Sequence, residues 1–319
     1  MSTSAVRRLS ALAAARGGPG AEPVVLAQRP DGTVVRSGSV AAKAHAPDAD
    51  PAQLALRLRV AAHPLLHRVL LTPLACTGPG PDGLLGALPD GRPMTLWPYG
   101  TPVAPDAPES APWAEAGTLL ARLHTVPVAA LPGPLPPMRG PTKAARAMTR
   151  MRRSGAGGTA AAGVVERAWA RLPAWARGRA VPPRTGNTLC HGDLHLGQLV
   201  RHPAPDGPWQ LIDIDDLGLG DPAWDLARPA AWFAAGLLPP ADWDRFLGAY
   251  RAAGGTAVPA GRGQDPWPRL DVPARALTVQ ITAVAVAGAA AAGRELDEVE
   301  RAMADACYRI AELPPDQGP

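Results

Sequence analysis

The chain has 319 residues, 46% hydrophobic and 19% charged, enough for one large domain or two lobes and too apolar for wholesale disorder. Its formal charge of +4 is unevenly spread: residues 1–100 carry a net +4, residues 101–190 a net +8 and residues 191–319 a net −8. That polarity excludes the uniform basic footprint of a nucleic-acid binder and leaves an acidic C-terminal part suited to a metal or a cationic ligand.

Arginine outnumbers lysine so heavily that Lys43 and Lys143 are the only lysines in the chain, and Asn187 is its only asparagine. A GC-rich coding bias accounts for such a skew, so arginine abundance carries no functional signal while rare residue types gain weight. Cys76, Cys190 and Cys307 are odd in number and far apart, with no paired spacing; a reducing, cytoplasmic location is expected. Residues 7–16 hold two arginines before a short alanine-rich stretch closed by Arg16, which predicts a first helix and not an export signal. The apolar run 276–292 contains Thr278, Gln280 and Thr282, falls short of a membrane span and predicts a buried helix. No membrane or nucleic-acid partner is expected.

In chain order, 24–27 and 33–35 flank the turn Arg29-Pro-Asp-Gly32, a strong hairpin signal, and 40–45 reads as a third strand. Residues 51–62 read as a helix opened by Pro51, with Leu54, Leu56 and Val60 on its apolar face. Strands are expected at 69–74 and 94–97, separated by Gly/Pro-rich turns, and 97–102 reads as a linker. From there the chain reads as mostly helical, with helices at 111–123, 141–153 (strongly basic), 164–176, 222–236, 240–253, 272–292 and 295–312. Two short strands, 188–190 and 209–214, interrupt it.

Those two strands bracket the informative stretch. The first leads into His191-Gly192-Asp193-Leu-His195-Leu-Gly-Gln198; the second leads into Asp213-Ile-Asp215-Asp216, followed by Asp221 and by Asp225-Leu-Ala227. A hairpin-like pairing of the strands would gather Asp193, Gln198, Asp213 and Asp215. Several oxygen donors with little sulfur suit a hard divalent cation such as Mg²⁺. An unshared carboxylate beside it can orient a hydroxyl towards a phosphoryl group. Either motif alone is commonly a solvated turn; both in order, each behind an apolar strand, argue for a site.

These residues resemble the aminoglycoside phosphotransferase family, which takes in choline-kinase-like and maltokinase-like enzymes and is related to the protein kinases. The segment Leu119-Leu-Ala-Arg-Leu-His124 adds to the likeness. The resemblance implies an α+β, two-lobe protein-kinase-like fold, with a small antiparallel-sheet N-lobe over 1–98 and a mostly helical C-lobe over 99–319. It implies ATP and Mg²⁺ as cofactors, Asp193 as catalytic base, Asp213 and Gln198 as metal ligands and Lys43 as phosphate ligand. Gln198 stands where the family has Asn. The helix after Lys43 offers no glutamate to pair with that lysine, so its partner is either missing or comes from elsewhere, with Asp48 and Asp50 as candidates; phosphate cradling falls to the turns at 30–32 or 37–39.

Around these, Asp215 is a candidate for a second metal or for substrate, with a solvated turn as the alternative. His195 is a candidate for phosphate or substrate contact, and equally for a structural role. Trp97 and Tyr99 are candidates for the base pocket. His191 is expected to brace the loop, Asp225 to tie it, and Asp216 and Asp221 to serve as turn or cap residues. The basic run from Lys143 to Arg153 is expected to be a solvated helix face, or a dock for an acidic peptide. The expected activity is transfer of the γ-phosphate of ATP to a hydroxyl of a small molecule. An amine-bearing acceptor is favoured by the acids Glu295, Asp297, Glu298, Glu300 and Asp305. The alternatives are a Ser/Thr kinase acting on a peptide and a pseudokinase that only binds partners.

Overall fold

The computed structural model describes residues 2–18, 21–29, 31–76, 83–183 and 186–314. The first half of the chain forms α1 (Ser2–Gly17), β1 (Val24–Arg29), β2 (Gly32–Ser37), β3 (Val40–Ala44), α2 (Pro51–Ala61), β4 (Gly86–Ala87), β5 (Pro93–Pro98), β6 (Thr101–Pro102), α3 (Trp113–His124) and α4 (Gly140–Arg153). The second half forms α5 (Ala160–Arg171), β7 (Thr188–Cys190), β8 (Leu199–Arg201), β9 (Trp209–Leu211), β10 (Gly218–Gly220), α6 (Ala223–Ala234), α7 (Pro240–Ala252), α8 (Trp267–Ala292) and α9 (Glu298–Glu312). A small antiparallel sheet near the N-terminus and a largely helical C-terminal region give the α+β kinase-like arrangement expected from the sequence.

The elements gather into two compact units, and these interleave along the chain. One draws on Met1–Pro112, Val126–Pro136 and Leu196–Asp215; the other on Trp113–Thr125, Pro137–His195 and Asp216–Pro319. The division expected at residue 98 runs once along the chain, whereas the compact units exchange segments.

In the first unit a five-stranded antiparallel sheet has the order β1-β2-β3-β5-β4. Side chains alternate across a strand, and in β3 Val40, Ala42 and Ala44 turn inward. There they meet Val35, Met94 and Leu96 and the α1 residues Ala5, Leu9 and Ala13, which recur every four residues along one helix face. The other face of β3 is left to Lys43, which lies opposite Val34 of β2 and Thr95 of β5. Asp50 caps α2 by accepting from the Ala52 and Gln53 amides, with Pro51 in the first turn. A smaller sheet, β6-β8-β9, completes this unit. The expected strand 69–74 contributes only single bridges, Leu70 to Leu211 and Leu74 to Leu96. Pro30 of the expected turn and part of the Gly/Pro-rich stretch, 77–82, lie outside the described residues.

In the second unit α3 packs against α7, and α8 against α4, α5, α6 and α9. Gly117 permits the first contact, because a Cβ there would stand 2.2 Å from the Phe246 carbonyl oxygen. The helix expected at 164–176 begins earlier, behind the cap Thr159, and ends at Arg171 ahead of Pro173. The helix expected at 272–292 begins at Trp267. By length and composition alone α8 suffices to cross a membrane; the four helices packed on it make it the core helix of this unit. Thr278 and Thr282 are accommodated there by donating to the carbonyls one turn back, Ala274 and Thr278.

The strand pairing differs from the expected hairpin. The strand before His-Gly-Asp, β7, pairs with β10, while β9 pairs with β8. Three-residue strands carry too little periodicity to be read in advance, so β8 and β10 went unanticipated.

Leu9, fully buried between α1 and the sheet, should be a strong anchor. Leu9→Ala is expected to lower unfolding stability by about 2–5 kcal/mol, measured by urea denaturation. Val181→Ala at an exposed loop position should change it by no more than about 0.5 kcal/mol.

Candidate active site

The first unit assembles one charged cluster. Residues 43, 45, 95 and 97 share the face of the sheet opposite its packed core. From that face Lys43 Nζ reaches Asp213 Oδ1 at 2.8 Å and Asp215 Oδ2 at 2.9 Å. Asp213 follows β9 in the left-handed region, with φ of 65°, a conformation aspartate tolerates better than most side chains. Gln198 is buried, its carbonyl accepts from the Ile212 amide, and its side-chain amide lies 3.5 Å from Asp213 Oδ2.

Behind Asp215 stands His45, its Nδ1 2.9 Å from Asp215 Oδ1, an ion-pair distance without the alignment of a hydrogen bond. Its Nε2 meets Thr95 Oγ1 at 2.9 Å, and the same hydroxyl accepts from Trp97 Nε1. Burial opposes the charge on Lys43, but the two aspartates outweigh it and hold the ammonium above its ordinary range. Burial likewise opposes the Asp215 carboxylate, and Lys43 and His45 drive it far below the usual carboxylate range.

The residue types fit a hard divalent cation: two carboxylates lie together beside the Gln198 side-chain amide, whose Nε2 faces Asp213, and Lys43 offsets only one of the two negative charges. Trp97 is committed to Thr95 within the unit. Tyr99 carries the Arg36 guanidinium 3.6 Å above its ring.

The second unit assembles another cluster around the His-Gly-Asp loop. Asp193 Oδ1 accepts from Arg228 Nη2 at 2.7 Å, and Asp193 Oδ2 lies 2.9 Å from Lys143 Nζ. The same ammonium donates to Asp216 Oδ2 at 2.7 Å, with Arg139 Nε 3.6 Å from Asp216 Oδ1. Gly192 has φ of 83°, and a Cβ there would stand 2.4 Å from the Asp216 carbonyl oxygen, so only glycine fits between the loop and that backbone. Burial raises Asp193, but Lys143 and Arg228 overcome it and keep the carboxyl below its ordinary range. Burial lowers Lys143, and Asp216 and Asp193 more than restore it.

Beneath the loop lies a fully buried carboxylate. Asp225 accepts the His191 amide at 2.6 Å, the Gly192 amide at 2.7 Å and His124 Nε2 at 3.0 Å. His124 Nδ1 meets Tyr250 Oη at 2.8 Å, and that oxygen accepts from the Ala257 amide. One assignment satisfies every group: the tyrosine donates to Nδ1 and the Nε2 proton goes to Asp225. Burial would raise Asp225, and these donors lower it instead. His124, Cys190 and Asp225 have the spacing of metal ligands. Two of them are spent on each other, however, and burial pushes the Cys190 thiol well up, so the trio is structural.

A profile of the phosphotransferase enzyme family, APH, matches residues 15–268. The chain belongs to this family. It is therefore a phosphotransferase enzyme, a kinase acting on hydroxyl groups, and the pseudokinase alternative falls away. No curated protein matches the chain by sequence. Among solved structures it is similar to a choline/ethanolamine kinase family protein from Mesorhizobium loti, at 20% identity and a TM-score of 0.58 over 98% of this chain and 96% of that one. It is also similar to a thermostable mutant of the aminoglycoside phosphotransferase APH(4)-Ia, at 14% identity and a TM-score of 0.60 over 95% and 98%. A ternary complex of that enzyme with AMP-PNP and hygromycin B gives 15% identity and a TM-score of 0.59 over 95% and 99%. At these identities the likeness is one of fold.

For a member of this phosphotransferase family, several expectations need revision. Lys43 pairs with Asp213 and Asp215 and not with Asp48 or Asp50; Asp50 is committed to capping α2. Of the four residues expected to gather, Gln198, Asp213 and Asp215 join Lys43 in the first unit, and Asp193 belongs to the second. His195 follows Asp193 and adds to the field that lowers it. Asp216 is an ion-pair partner and no mere turn residue; Asp221 does cap, accepting the Ala223 amide, and also binds Arg269 at 2.9 Å. Asp297 and Glu300 form the capping box of α9, Arg294 binds Glu300, and Glu298 and Asp305 are exposed.

Three participants escaped the sequence reading: Lys143, Arg228 and His45. Lys143 carried a usable signal, since lysine is as rare at 143 as at 43. The surrounding arginines concealed it as one more charge on a basic helix.

With both oxygens of Asp193 held by cations, the acid limb of kcat/KM should lie below the ordinary carboxylate range. Lys143→Met removes one of those cations and leaves the burial that raises Asp193, so the limb should move to higher pH. A pH–rate profile of the two proteins checks the shift.

Proposed function

We propose that the protein transfers the γ-phosphoryl group of Mg·ATP to a hydroxyl of a small molecule. The observation that carries this reading is Lys43 joined to Asp213 and Asp215 beside Gln198, a lysine and a set of hard oxygen donors in one cluster. Lys43 would bind phosphate oxygens, and Asp213 and Gln198, with Asp215 adjacent, would hold the metal. When bound, Mg²⁺ neutralises charge on the phosphates.

Asp193 orients the acceptor hydroxyl and receives its proton as the oxygen forms its bond to phosphorus, while the bond from phosphorus to the ADP oxygen breaks. A carboxylate held this acidic is a weak base, which suits a loose transition state in which the proton leaves late and positioning supplies most of the acceleration. Trp97 and Tyr99 remain candidates for the base pocket, and His195 for phosphate contact. A peptide acceptor has no support from the solved neighbours, whose named ligands are small molecules.

Three substitutions separate the roles, with transfer from radiolabelled ATP and calorimetric Mg·ATP binding as readouts. Asp193→Asn should cut transfer by about 10²–10⁴-fold and leave Mg·ATP affinity within a few-fold. Asp213→Ala should abolish metal-dependent nucleotide binding. Gln198→Asn should retain activity, because the ligand chemistry is kept and only its reach changes. Unchanged Mg·ATP binding in Asp213→Ala would remove the metal assignment.

A further inference from the structure

Beside Asp193 the second unit has a narrow crevice of about 10 Å³, lined by Lys143, Asp193, Trp224, Arg228, Leu277 and Gln280 among others. That is on the order of the space one water needs. Trp224 forms a rigid wall, its ring packed so closely on Gly140 that a Cβ there would meet it at 3.1 Å.

Gln280 is the anomaly. It sits on α8, is only 7% exposed, and makes no hydrogen bond among the described residues. The other two buried polar side chains of that helix, Thr278 and Thr282, are satisfied by backbone carbonyls. A largely buried side chain whose amide has no protein partner and opens on a crevice beside the catalytic carboxylate points to a ligand group that completes it. The same wall holds a second unmet donor, the Arg228 Nε, buried without a hydrogen-bond partner.

We propose that Gln280 is the specificity-determining residue of the acceptor subsite and reads a second hydroxyl of the acceptor, near the one phosphorylated. The crevice has room for a hydroxyl, and an amide offers it both a donor and an acceptor. No lining carboxylate is left free to receive an ammonium at this position. Asp193, the one carboxylate among the described lining residues, already has both oxygens on Lys143 and Arg228, and the neighbouring Asp216 is held by Lys143 and Arg139. The substrate class is thus a polyol whose neighbouring substituent is a hydroxyl and not an amine. The assignment rests on the kinase reading of Asp193.

The test is transfer from radiolabelled ATP to alditols, cyclitols and aldohexoses, each beside its monodeoxy and monoamino analogues. The slow hydrolysis of ATP to water is measured in parallel. The wild-type protein should favour a polyol over both analogues by at least about tenfold in kcat/KM, since a site built to bind a hydroxyl rejects the compound lacking it. Gln280→Leu should raise the KM for that polyol at least about tenfold and erase its advantage over the deoxy analogue. ATP KM and hydrolysis should stay unchanged, which also shows the variant to be folded. Gln280→Glu should move preference towards the amino analogue. Preference for the amino compound in the wild type, unchanged kinetics in Gln280→Leu, or ATP hydrolysis with no transfer to any polyol would each overturn the subsite and spare the kinase reading. Loss of Mg·ATP binding and hydrolysis in the wild type would overturn the kinase reading itself.

Discussion

Carboxylates withdrawn from water must be given specific partners, and both clusters of this phosphotransferase are built around that requirement. An unpaired buried charge costs several kcal/mol, so the fully buried Asp225 can be held where it is only if N–H donors reach it, and the half-buried Asp193 and Asp215 meet a weaker form of the same demand with cations. Asp225 meets the requirement with two loop amides and a histidine. The backbone of the His-Gly-Asp loop is thereby fixed to the start of α6, and through His124 and Tyr250 to α3 and α7. The position of Asp193 then follows from that loop, and the positions of Lys143 and Arg228 from Asp193.

In the first unit the same requirement is met without a helix glutamate. Lys43 is anchored on Asp213 and Asp215, so the group expected to bind phosphate and the groups expected to bind metal restrain one another. Asp215 has a second support in His45, itself fixed through Thr95 to Trp97. Four side chains on one face of β3 and β5 and the residues that follow them thus form a continuous polar path ending at the carboxylates. An arriving divalent cation competes with an ammonium for the same oxygens, which ties metal binding to the freedom of Lys43.

What the sequence could disclose followed from local signals. His191-Gly192-Asp193 and Asp213-Ile-Asp215 were readable because motif, spacing and preceding apolar strand coincide. The role of Asp225 was readable because an acid at the head of an apolar helix has few other uses. Pairing partners far apart in the chain were not readable. Nothing near Lys43 indicates that its counter-charge lies 170 residues on, and nothing near Arg228 points to Asp193. Strand pairing failed for a related reason: β7, β8, β9 and β10 have three residues each, and register among such short strands is decided by packing that no periodicity records.

The exchange of segments between the compact units bears on how the protein is made. The β6-β8-β9 sheet of the first unit needs residues up to 211, so a nascent chain that has emerged through residue 112 holds an incomplete unit. At roughly 5–20 residues per second, about another 100 residues take on the order of 5–20 s to translate. Through that interval Lys43 is present without Asp213 or Asp215. The N-terminal sheet must wait, its polar face unmatched, for a strand pair that arrives only after the His-Gly-Asp loop has been synthesised.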